Sequence, residues 1–116
     1  MKATEQKALL PHLARTVDAI EEIVRSGLTT ASEATTKTLG ITFQEASRLK
    51  LLRLGSVLRN THQEINRFVS DEDSFSQARL VFFLNRSWLL CKGLEDAIEN
   101  KNKEQLAELL LSLIHI

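Results

Sequence analysis

This sequence predicts an all-α protein, a helical bundle of four to five helices, and three observations carry the prediction. Apolar residues recur at spacings of three and four along most of the chain. There are 4 glycines and 1 proline, while leucine, which loses little rotamer freedom in a helix, is the commonest residue. No stretch alternates Val, Ile or Thr with polar residues as a half-buried strand would. At 116 residues the chain is long enough for one core and too short for two.

The elements follow in order. Leu9, Leu13, Val17, Ile20 and Val24 share one face of a helix that starts near Thr4 and is kinked at Pro11. Arg15, Asp18, Glu22 and Arg25 take the opposite face, and Ser26-Gly27 closes the helix. Thr30 with Glu33 reads as a capping box, and Gly40 as a stop, for a short helix over 31–39. That helix offers only Ala31, Ala34 and Leu39 as apolar groups. Thr42 with Glu45 reads as a second capping box, opening one continuous helix over 43–69, bent at Gly55. Its stripe is Leu51, Leu54, Leu58, Ile65 and Phe68.

Residues 70–74 form a polar, acidic turn, and Ser74 with Gln77 gives a third capping box. The next helix, from Phe75 to near Glu99, is apolar almost all round. Such a helix is expected at the centre of the bundle, covered on several sides, with Leu84, Trp88 and Cys91 facing inward. A last helix begins near Asn102.

Composition narrows the function classes. The 15 basic and 15 acidic residues cancel, which argues against a polyanion binder acting through overall charge. One cysteine can neither staple a secreted fold nor build a thiolate site, so a reducing, cytoplasmic compartment is expected. The longest apolar run is Leu80 to Leu84, far short of a bilayer span, and residues 1–12 lack a signal-peptide pattern, so no membrane partner is expected. His12, His62 and His115 have no partner at metal-ligand spacing, and no phosphate loop or nucleophile elbow occurs. The expectation is therefore no enzyme, no cofactor and no metal. Cys91, among Trp88, Leu89, Leu90 and Leu94, is expected as an inert core thiol. Asp71, Glu72 and Asp73 are expected to favour the start of the following helix, and Arg86 to need an ion-pair partner.

Two features remain. Leu39-Gly40-Ile41-Thr42-Phe43-Gln44-Glu45-Ala46-Ser47-Arg48-Leu49 resembles the turn and recognition-helix start of bacterial helix-turn-helix DNA-binding domains. The resemblance implies a nucleic-acid-binding unit over residues 31–52, with Phe43, Gln44, Ser47 and Arg48 facing the groove. Thr35 and Thr36 depart from the family's aliphatic and small residues. The second feature is charge partition. Residues 43–69 carry 5 basic and 2 acidic residues, net +3, while residues 70–116 carry 5 and 8, net −3. Arg48, Arg53, Arg59 and Arg67 would serve phosphate contacts, or else pair with the acidic helix that follows. Leu49 and Leu52 lie opposite the main stripe and make a candidate partner patch.

The last six residues, Leu111-Ser112-Leu113-Ile114-His115-Ile116, also read as the translation of CTG TCT CTT ATA CAC ATC, a library-adapter end. A single helical domain over 1–110, the N-terminal part of a longer environmental protein, with an adapter-encoded tail over 111–116, is the expectation. Leu113, Ile114 and Ile116 should then be exposed, or simply prolong a helix beyond the domain. The function expected is a non-enzymatic interaction or scaffolding module of a bacterial protein, bound to a protein partner or to itself. The alternative is the helix-turn-helix nucleic-acid binder.

Overall fold

Five helices make up the chain in a computed structural model that describes residues 1–114. They are α1 (Ala3–Ser26), α2 (Leu28–Arg48), α3 (Leu52–Val69), α4 (Gln77–Glu99) and α5 (Lys103–Ile114). The all-α bundle is what forms, with no strand among the described residues. The first four helices pack in a ring, α1 against α2 and α4, α3 against α2 and α4, while α5 lies on α3 and α4. The connections are short, from the single Gly27 between α1 and α2 to residues 70–76 between α3 and α4. No helix among the described residues is long and apolar enough to cross a membrane.

α1 follows its predicted stripe, with Leu9, Leu13, Val17, Ile20 and Ile23 buried. It runs through Pro11 without a break, leaving the carbonyl of exposed Lys7 to water because proline has no N–H to offer it. Val24, placed on the stripe from sequence, is 78% exposed, because Ile23 turns inward in its stead. Gly27 reverses the chain at φ 83°, ψ 165°, a region open only to glycine, and α2 starts on the next residue.

The middle of the chain differs from expectation. Gly40 does not stop a helix: α2 continues through it to Arg48, and the break falls at Leu49–Leu51. Residues 43–69 are therefore two helices, not one. The buried stripe of α2 is Ala31, Thr35, Leu39, Thr42 and Ala46, spaced 4, 4, 3 and 4, so two threonines occupy core positions. Thr42 is no cap. Its hydroxyl donates to that of Thr16 at 2.7 Å and lies 3.2 Å from the carbonyl of His12. Thr16 donates to the same carbonyl at 2.9 Å, so one buried clasp joins α1 to α2. A second clasp joins α3 to α4: Thr61 meets Ser87 at 2.8 Å and donates to the carbonyls of Val57 and Phe83. Thr30 and Ser74 likewise cap nothing; α4 is capped by Ser76, whose hydroxyl accepts from the Arg79 N–H.

Three helices end in one way. Beyond α2, the N–H of Leu51 reaches back to Ala46 and that of Lys50 to Ser47. Glu72 and Asp71 bond Arg67 and Phe68 after α3, and Asn102 and Lys101 bond Ala97 and Ile98 after α4. These are Schellman motifs, and the left-handed position is filled by Lys50 (φ 61°), Asp71 (φ 53°) and Lys101 (φ 53°) instead of glycine. Asp71 thus ends α3, and the acidic run 71–73 stands outside the first turn of α4. Asn102 then accepts from the Gln105 N–H and opens α5.

Leu113 is fully buried, contrary to the expectation for the last residues, while Leu111 is 64% and Ile114 42% exposed. The cause is spacing: Leu106 and Leu113 lie two turns apart on the face that α5 lays on α3 and α4. The expectation for Ile116 lies outside the described residues.

Candidate interaction surface

Helix α4 carries apolar residues almost all round, yet only part of it is covered. Leu80, Leu84, Ser87, Cys91 and Leu94 face the core. Val81 and Phe82 are each 59% exposed and Leu89 is 53% exposed, so the helix is not enclosed as its composition suggests. Trp88 is half-buried rather than central. With Ile20, Glu21, Val24 and Arg25 of α1 and Val81, Leu84 and Asn85 of α4, it lines a groove of about 600 Å³. Phe82, next to Val81 in the chain, stands on the exposed side of α4, edge-on to Phe83 at 5.6 Å. The outer side of the α1–α4 pair is thus a concave apolar channel beside an apolar ridge, with Asn85 the polar group at mid-length of the exposed stripe.

The residues expected to carry function from sequence do not gather. Leu49 is half-buried against the core and Leu52 is 51% exposed; both sit at the α2–α3 turn, at the end of the bundle away from the groove. Phe43, Gln44, Ser47 and Arg48 occupy the last turns of α2, not the start of a recognition helix. Phe43 packs its ring over Gly55, with the Ser47 hydroxyl beside it, where α2 crosses α3. Arg48 pairs with Glu45 at 2.8 Å and Arg67 with Glu64 at 2.9 Å. Arg53 and Arg59 belong to α3, and six residues apart they point to different sides of it. None of these arginines pairs with an α4 carboxylate among the described residues. Half-buried Arg86 also has no ion-pair partner among them.

A buried polar cluster escaped the sequence reading. Glu64 is fully buried on α3, and both its oxygens are filled. Oε1 accepts from Arg67 Nη1 and Arg79 Nε, each at 2.9 Å, and Oε2 from the Ser76 backbone N–H at 2.9 Å. Arg79 also donates to the carbonyl of Ser74. The Arg79 hydrogen bond, helped by the Ser76 N–H and Arg67, holds the Glu64 carboxyl at about 2 against the pull of burial. Phe68 and Phe75 close the same corner edge-to-face at 5.4 Å. The cluster ties the α3–α4 connection to the bundle, with both carboxylate oxygens of Glu64 engaged.

Cys91 is buried, and desolvation pushes its thiol up to about 12, which removes the thiolate that nucleophilic or metal chemistry needs. Among the described residues no three His, Cys, Asp or Glu converge as a metal ion requires. His62 contacts Asn66 at 3.2 Å, and His115 lies outside the described residues. No family model, no curated protein and no solved structure matches this chain. The α1–α4 face therefore stands on its own geometry.

Proposed function

We propose that this chain is a non-enzymatic helical interaction module that binds a protein on its α1–α4 face. The observation that carries this reading is the bare apolar side of α4, with Val81, Phe82 and Leu89 all more than half exposed beside a preformed groove. Large apolar side chains clustered on one rigid face, next to a concavity, are what a protein partner covers. A fully buried, protonated thiol fits a reducing, cytoplasmic setting. For the nucleic-acid alternative, α2 does end near Leu52 with α3 packed on it, as that reading asks. The turn it also requires at Gly40 is mid-helix, so Phe43, Gln44, Ser47 and Arg48 do not open a recognition helix.

The test is affinity capture from bacterial lysate, with and without nuclease, using wild type and Phe82→Asp. Capture that survives nuclease and is lost in Phe82→Asp supports the reading. Capture that is lost on nuclease treatment and kept in the variant contradicts it.

A further inference from the structure

We propose that the occupant of the α1–α4 face is a second copy of this chain, paired about a two-fold axis that crosses α4 at Asn85. The proposal rests on the interaction face argued above and names its partner. A two-fold contact brings residue i onto residue j and j onto i, so the face must complement itself.

The α4 stripe has that property. Val81 and Phe82 lie one turn before Asn85, and Trp88 and Leu89 one turn after it. An antiparallel second α4 centred on Asn85 sets Phe82 against the partner's Leu89 and Val81 against the partner's Trp88. The two Asn85 carboxamides then meet on the axis, where each can donate to and accept from the other. A single polar residue at the centre of an apolar seam fixes register in just this way.

Charge on α1 points to the same axis. Glu21, Val24 and Arg25 of α1 line the same groove as Asn85. An axis across α4 at Asn85 therefore crosses α1 near Val24, and it brings Glu21 of each copy to the partner's Arg25. Arg25 is bound only by Glu22 on its own helix and is 72% exposed; Glu21 has no cation within ion-pair distance among the described residues. The uncovered apolar area, on the order of a few hundred Å² per copy, falls below the roughly 800 Å² per partner of a standard stable interface. The dimer is thus expected to be a weak one that forms with concentration.

Sedimentation equilibrium over about 1–300 µM, spanning the dissociation constants of weak interfaces, tests this directly. Wild type should move from 13.1 kDa toward twice that mass. Phe82→Asp should raise the dissociation constant at least about tenfold with an unchanged helical circular-dichroism spectrum. Glu21→Arg or Arg25→Glu alone should weaken the dimer by setting like charges across the axis. The two single variants mixed should form a heterodimer, and the double swap should restore the homodimer. Wild type that stays monomeric throughout overturns the proposal. If Phe82→Asp nevertheless abolishes lysate capture, the face serves a different protein and the interaction reading survives. A dimer indifferent to all these substitutions also overturns the proposal, and the interaction reading falls with it only if lysate capture is equally indifferent to Phe82→Asp.

Discussion

Replacing Glu64 by glutamine removes the charge around which the α3–α4 connection is built while keeping the side chain's shape. The carboxyl sits at about 2 in the folded protein, against an ordinary value of 4.5. At about 1.4 kcal/mol per pH unit this corresponds to about 3 kcal/mol at neutral pH. Solvent around Arg67 and Arg79, 36% and 48% exposed, screens the pairs and brings the figure to about 2 kcal/mol. A glutamine also turns an amide N–H toward Arg79 or the Ser76 N–H, so one donor faces another. Because the folded value lies below the unfolded one, this stability is complete above the unfolded carboxylate value and is lost as pH falls toward 2. Urea melts of wild type and Glu64→Gln at pH 7 and pH 3 measure it. Wild type should be more stable by about 2 kcal/mol at pH 7, and by less than about half of that at pH 3. Equal midpoints at pH 7, or a gap that does not change with pH, would refute the reasoning.

Lys50→Gly and Lys101→Gly should each stabilise the protein by about 1 kcal/mol in the same melts, since a side chain in the left-handed region is strained there. Gly40→Ala should also stabilise, by up to about 1 kcal/mol, because the added methyl meets open space in mid-helix; a loss of stability would restore the turn. Leu113→Ala should cost about 2–4 kcal/mol if α5 is integral to the core, and an unchanged thermal midpoint would show that it is not.

The fold class, α1 and the α4–α5 turn were legible because leucine and isoleucine mark their inward faces at helical spacing. The break between α2 and α3 was not. Thr35 and Thr42 read as polar, although each is buried, so the stripe of α2 dropped out of view beyond Leu39. Gly40 then looked like a stop, and the true stop at Lys50 carried no glycine to mark it. The same ambiguity hid the Thr16–Thr42 and Thr61–Ser87 clasps, whose partners are 26 residues apart. Glu64 gave no local signal either, since Ser76 and Arg79 reach it from across a turn. For the interaction face, the all-round apolar character of α4 was plain from sequence. Which side stays bare depends on where α1, α3 and α5 pack, and periodicity alone does not contain that.

Trp88 is the chain's single tryptophan and lines the groove, so its accessibility reports directly on whether the α1–α4 face is a contact surface. Acrylamide quenching of its fluorescence should be followed through a dilution series of wild type and of Phe82→Asp. Quenching that is low in concentrated wild type, rises on dilution, and matches Phe82→Asp only at the dilute end is the predicted result. Quenching that is the same at every concentration and in both proteins would contradict the claim that this face is covered by a second copy.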